Sequence, residues 1–253
     1  MHERKAFIGR FRDETDGSAM ANGMSQHELV VSAVQDMISR GELHPGDRLP
    51  VEPELAAQLG VSRGSLREGV RALVAMGVLE TRQGSGTTVT SLDPHLLLQP
   101  LVFWASIQGG PSALNVHIAR RALEVESAGL AAASITAEEL RRLADLLDDA
   151  DPHIARHDHE QALIVDHAFH LAIARSTGNP VLVALVDVLG QPTVRSRLWQ
   201  SVNRSGRLES AHHEHRVILA ALRRGDPVAA RAAMYSHLTE VLTHLDDDAT
   251  GSS

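Results

Sequence analysis

Residues 48–89 read RLPVEPELAAQLGVSRGSLREGVRALVAMGVLETRQGSGTTV, and the way their apolar positions change period sets the fold of the first part of the chain. PELAAQLG (53–60) is a short helix, with a proline tolerated in its first turn and Gly60 closing it. Ser62 then offers a hydroxyl cap to a longer helix, along which Leu66, Val70, Leu73 and Val74 are spaced to face one side before Gly77 ends it. VLETRQGSGTTV (78–89) reads as two short strands around a Gly-Ser-Gly turn. Upstream, Ser25 and Glu28 form an S-x-x-E capping box, and Leu29, Ala33, Val34, Met37 and Ile38 follow at helical spacing until Gly41. Three helices followed by a hairpin is the winged helix-turn-helix plan. In that plan the third helix enters the DNA major groove, and the hairpin touches the neighbouring backbone or minor groove.

The third helix carries chemistry suited to that task. Arg63 and Arg67 lie four apart and share a face. Its first turn offers backbone N–H groups, Ser62 and Ser65 to phosphates, while an arginine can grip guanine with two parallel hydrogen bonds. The stretch is similar to the DNA-binding signature of the GntR family of bacterial repressors over about residues 25–90. The likeness rests on the helix lengths, the VSR-x-x-x-RE core (61–68) and the RQGSGT wing (82–87). It implies that Arg63, Ser65 and Arg67 contact bases or phosphates and that Gln83 and Gly84, at the wing tip, approach the groove. Two positions depart from the family. Val51 stands where a small hydroxyl cap is usual, and Pro53 where the family has a DNA-contacting arginine, so one contact is missing while the fold is unaffected.

Charge limits how that surface can work. The net charge is −8, and residues 25–90 hold six Arg against eight Asp and Glu. A protein that coats nucleic acid generally is excluded, and binding must depend on few contacts and on dimerisation. Cysteine is absent, so any metal is held by His, Asp or Glu. The charged N-terminus MHERKAFIGRFRDETDG has no apolar segment of a signal peptide, and no apolar run approaches membrane-spanning length, so the expected location is the cytoplasm. Residues 1–24 read as a flexible arm, 25–91 as the DNA-binding domain, 92–246 as a helical effector, metal-binding and dimerisation domain, and 247–253 as a disordered tail.

The second domain shows no β-alternation. LDPHLLLQPLVFW (92–104) starts it with a connecting helix, Asp93 and Pro94 serving as cap and first residue. Thr136 and Glu139 form another capping box, and Asp151-Pro152, Asn179-Pro180 and Asp226-Pro227 read as further helix starts. The fold class is therefore mainly α: an N-terminal winged helix-turn-helix plus a C-terminal all-helical antiparallel bundle of six or seven helices.

Within that bundle, LIVDHAFHLAIA (163–174) places Asp166 and His170 at i and i+4, about 40° apart around a helix and able to reach one ion. His167 is turned about 100° from Asp166 and should point elsewhere, and Phe169 should pack in the core. His215 precedes Gly225 by ten residues and His237 follows Pro227 by ten, so both lie about 15 Å from the turn. Packed antiparallel, the two helices bring these histidines level. His212 and His213 have no equally placed partner, and His153, His157 and His159 read as a solvated helix face. One carboxylate and three imidazoles suit Zn²⁺, Ni²⁺ or Mn²⁺ with open positions. A polar core network without metal remains open at this point.

The region from about 95 to 245 resembles the FCD effector domain of the FadR-like branch of the same family, on ARRALEVESAGLAA (119–132), DHAFHLAIARSTGNP (166–180), EHRVILAALRRGD (214–226) and AAMYSHL (232–238). The resemblance implies a divalent ion, zinc first, on Asp166, His170, His215 and His237. It also implies an effector-facing arginine on the first long helix, matched by Arg120 with Arg121 next to it, and Glu124 as that arginine's anchor. The effector so implied is a small carboxylate, an organic or sugar acid. The protein is then a homodimeric repressor on a near-palindromic double-stranded operator, and no enzyme. Two rivals are a repressor that senses the metal itself and a metal-dependent hydrolase; no HExxH-type arrangement supplies the latter with a base.

Overall fold

The structure, a computed structural model, describes residues 23–84, 86–107, 111–191 and 207–250. The chain divides into two compact units, Met1–Leu97 and Leu98–Ser253. The arm assigned to residues 1–24 lies outside the described residues except for Gly23 and Met24.

In the first unit, α1 (Gln26–Ser39) starts at its capping box, the Ser25 backbone N–H donating to the Glu28 carboxylate at 2.7 Å. Its buried stripe is Val30, Ala33, Val34 and Met37, so Val30 takes the place that sequence spacing assigns to Leu29. Gly60, in the left-handed region at φ 65°, ends α2 (Glu52–Leu59) as expected. The Ser62 hydroxyl caps α3 (Arg63–Ala75), accepting from the Ser65 N–H at 3.0 Å. Helix α3 buries Leu66, Gly69 and Leu73, whereas Val74 stays exposed. The reason is a close helix crossing: a Cβ on Gly69 would stand 2.6 Å from Val30 Cβ, so this glycine defines the face that meets α1. Strands β1 (Leu79–Arg82) and β2 (Gly86–Val89) pair antiparallel from Leu79↔Val89 to Arg82↔Gly86, and Arg48 bridges to Thr88 on the other side of β2.

Helix α4 (Pro94–Leu97) begins at Asp93, whose carboxylate accepts from the His95 N–H at 2.8 Å. The sequence reading opens the second domain at residue 92, but this short helix groups with the first unit. Gly77 allows it: a Cβ there would stand 2.7 Å from the Leu96 carbonyl oxygen.

The second unit contains α5 (Gln99–Ile107), α6 (Pro111–Ser134), α7 (Ala137–Ala155), α8 (His159–Arg175), α9 (Pro180–Gly190), α10 (Arg207–Arg223) and α11 (Pro227–Thr250). It is an antiparallel helical bundle in which α6 lies against α11, α7 against α8 and α10 against α11. Small residues on α6 (Ala128, Ala131 and Ala132) allow close packing around Phe169, Ile173, Ile218, Leu222 and Met234. Thr136 caps α7 and Asn179 caps α9 as the sequence indicates.

Two local readings differ. Asp151-Pro152 does not start a helix; Pro152 lies in the last turn of α7, and the break comes at His157, with φ 54°, before Asp158 caps α8. Buried Leu143, Leu147 and Ala150 hold α7 to the core, and Asp151 pairs with His212 of α10 at 2.7 Å, which carries the helix past the proline. DPHIARHDHE is thus a helix junction and not one solvated face. At the other end α11 continues to Thr250, into the segment read as a tail, since no helix breaker occurs before Gly251.

Candidate functional site

Three helices of the second unit converge on one buried point. Helix α8 supplies Asp166 and His170, α10 supplies His215, and α11 supplies His237. One ligand atom from each lies within 4.8 Å of all the others. His170 Nε2 is 3.2 Å from His215 Nε2, which is 3.1 Å from His237 Nε2. Asp166 Oδ1 is 3.5 Å from His215 Nε2, and Oδ2 is 3.9 Å from His170 Nε2. His170, His215 and His237 are all at most 4% exposed. The Gly225-Asp226-Pro227 turn sets this register, because it makes α10 and α11 antiparallel with a histidine ten residues out on each arm.

The chemistry of this donor set fits a cation. Glu124 Oε2 lies 2.5 Å from His170 Nδ1, and Glu214 Oε2 lies 2.7 Å from His237 Nδ1. At His237 the Glu214 hydrogen bond favours the tautomer with its proton on Nδ1, leaving Nε2 a bare lone pair, whereas the Glu124 oxygen touches His170 Nδ1 without hydrogen-bond alignment. Burial pushes the His237 pKa down against the opposing Glu214 hydrogen bond, which also favours a neutral ring. That lone pair faces His215 Nε2, which has at most one proton to give, and the Asp166 carboxylate adds further acceptors. The two histidine–histidine separations, 3.2 and 3.1 Å, are close to an edge of a zinc coordination tetrahedron, about 3.3 Å for bonds of about 2.0 Å.

Sequence reasoning missed the two supporting carboxylates in this role. Glu124 anchors Arg120 as the sequence implies: Arg120 Nε donates to Glu124 Oε1 at 2.7 Å, and both side chains are at most 2% exposed. Its other oxygen then meets His170. Glu214 had no spacing signal, because its partner His237 comes from another helix. The neighbouring Arg121 is distinct from Arg120, lying over the exposed Tyr235 ring at 5.0 Å. His167 turns away from the cluster as its spacing indicates, and it links α8 to α9: its Nε2 meets Asp187 Oδ1 at 2.9 Å and its ring packs against Gly190.

A cavity of about 20 Å³ adjoins the cluster, lined by Leu147, Leu163 and Leu208 and by Asp166, His212 and His215. That is space for about one water. His212, passed over in the sequence for want of a partner, therefore reaches the site's edge while Asp151 holds its ring, and burial lowers its pKa.

In the first unit, the candidate DNA-facing residues lie on α3 and the wing. Arg63 and Arg67 are exposed, as are Gln83 and Gly84 between β1 and β2. Ser62 and Ser65 hydroxyls lie 2.9 Å apart, and Gln26 of α1 accepts from the Ser65 hydroxyl at 3.0 Å. Arg67 Nε donates to Glu52 Oε2 of α2 at 2.9 Å. No helix among the described residues is long and apolar enough to cross a membrane.

Both regions have counterparts in known proteins. The family profile described as "Bacterial regulatory proteins, gntR family" matches residues 26–89, and that described as "FCD domain" matches residues 116–240. The HTH-type transcriptional regulator LutR of Bacillus subtilis is 34% identical over 210 residues, covering 81% of this chain and 94% of its own. The Glc operon transcriptional activator of Escherichia coli is 33% identical over 232 residues, covering 87% and 89%. The solved structure of Streptococcus agalactiae GntR superposes with a TM-score of 0.62 at 30% identity, covering 85% of this chain and 98% of that one.

Proposed function

Because this chain belongs to the GntR family, with an FCD domain after its helix-turn-helix, it is a DNA-binding transcriptional regulator and not an enzyme, and we propose that a small carboxylate effector controls it from a divalent-metal site in the helical unit. Asp166, His170, His215 and His237 would hold the ion, zinc by the nitrogen-rich donor set, with Ni²⁺ or Mn²⁺ as the alternatives. The bound ion would offer an open coordination position to the effector's carboxylate. Glu124 holds Arg120 and lies against His170, which sets beside a metal ligand a guanidinium able to make a charge-assisted hydrogen bond to an organic or sugar acid. The observation that carries this reading is the convergence of three imidazoles and a carboxylate, backed by Glu124 and Glu214, on one buried point.

DNA is read by a homodimer at a near-palindromic operator, with Ser62, Arg63, Ser65 and Arg67 in the major groove and Gln83 and Gly84 beside it. Effector shifts the population of dimers whose two reading helices match the half-site spacing. The sign taken here is repression relieved by effector; a reporter gene behind the operator measures it.

The test joins metal analysis to a thermal-shift screen. Purified protein is expected to carry about one divalent ion per chain, lost in Asp166→Asn and His215→Ala. Organic or sugar acids are expected to raise the Tm of metal-loaded protein and not of chelated protein. A metal-free wild type that cannot be loaded would sink the metal reading, and equal stabilisation of both forms would remove the ion from effector binding. The small cavity beside Asp166 and His215 favours one second reading, in which the ion itself is the signal. Operator binding that follows added metal and chelator, with no acid needed, would establish it.

A further inference from the structure

Beside the reading face of α3 stands a carboxylate that electrostatics alone would disfavour. Glu52, at the start of α2, lies beside the arginine assigned to the major groove and accepts from its Nε at 2.9 Å. The two side chains are 60% and 50% exposed, and so open a pair does little for folding. Near DNA a carboxylate repels phosphate, a burden in a domain with six Arg against eight acidic residues. What the contact does is geometric. A guanidinium is planar, and its Nε–H lies on a different edge from the Nη pair, so a bond at Nε fixes the plane and leaves the end-on Nη fork for a second partner. Guanine O6 and N7 fit that fork. As the groove closes over the pair and excludes water, the Glu52 bond strengthens and the fork stiffens.

We infer that Glu52 is a positioning residue for DNA sequence recognition: it orients Arg67 to read one guanine and thereby sets specificity at that base pair. This rests on the placement of Arg67 in the major groove proposed above. Helix α2 would accept an acid at its N-terminus for its own sake, and Glu54 in the same turn is the control for that role.

The experiment selects binding sites from a randomised double-stranded DNA library with the full-length wild type, Arg67→Ala, Glu52→Ala, Glu52→Gln, Glu54→Ala and the Arg67→Ala/Glu52→Ala double variant. Arg67→Ala should relax preference at one base pair per half-site. Glu52→Ala should relax the same base pair, by about 5-fold or more for a lost two-bond contact, and leave the other positions unchanged. The double variant should relax no further than Arg67→Ala alone. Affinity for random-sequence duplex should hold or rise in Glu52→Ala, since a negative charge has left the DNA face. Glu52→Gln, whose amide oxygen can still accept from Nε, should recover part of the preference, and Glu54→Ala should match wild type. If Arg67→Ala relaxes a base pair and Glu52→Ala does not, or if Glu52→Ala weakens binding equally across all sequences, the positioning role is overturned while the Arg67 placement stands. If Arg67→Ala relaxes nothing, the placement and the inference fall together.

Discussion

Two arginine–glutamate pairs, one in each unit, show how differently the same chemistry works. Arg67–Glu52 is open to water, its side chains 60% and 50% exposed. Arg120–Glu124 is sealed, at 1% and 2%. The exposed pair can exchange its partners for water or DNA at little cost. The buried pair cannot, because each charge has given up its hydration and depends on the other, with His170 drawn into the same arrangement. Recognition of a large anionic partner suits the first condition, and a pre-organised small-molecule site suits the second.

The comparison can be broken by mutation. Glu124→Ala should be the most damaging, costing about 3–5 kcal/mol by taking its carboxylate from a buried guanidinium; chemical denaturation of the chelated protein measures it, and a loss below 1 kcal/mol would mean that the pair is not sealed in solution. Acid should come next. Since the His237 pKa is lowered in the folded state, the unfolded chain takes up the proton first, and stability is lost as pH falls below the ordinary histidine value of 6.5. Denaturation midpoints of chelated protein between pH 8 and 5 should fall on the acid side, and His237→Gln should flatten that slope. In the reading unit, Gly69→Ala should cost about 1–3 kcal/mol, because the added methyl collides with Val30 at the α1–α3 crossing; the thermal midpoint reports it. Smallest of all, Glu52→Ala should change stability by less than about 1 kcal/mol, even as it alters DNA preference.

Much of this organisation was legible in residue order. Helix caps at Ser25, Ser62 and Thr136 announce themselves through side chains that compete for backbone N–H groups, and those signals are local. The histidines of α10 and α11 were legible for a related reason: a short turn forces antiparallel packing, so equal distances from it predict a meeting. Local signals misled where tertiary packing outweighed them. Asp151-Pro152 has the chemistry of a helix start, yet α7 runs through it because its core contacts and the Asp151–His212 pair hold the last turn. Leu29 and Val74 have apolar side chains at plausible spacing, but Gly69, with no side chain, set the face on which α1 and α3 meet.

By itself the sequence determined the helix and hairpin order, the third helix with its two exposed arginines, and the ligand types able to meet in the bundle. These depend on periodicity, caps and turn lengths, which act within a few residues. Only the tertiary structure decided which carboxylates stand behind His170 and His237, that Arg120 and not Arg121 is buried, and that Glu52 grips Arg67. Each of these contacts joins residues whose side-chain directions are settled by packing between helices, and no spacing along one helix encodes them.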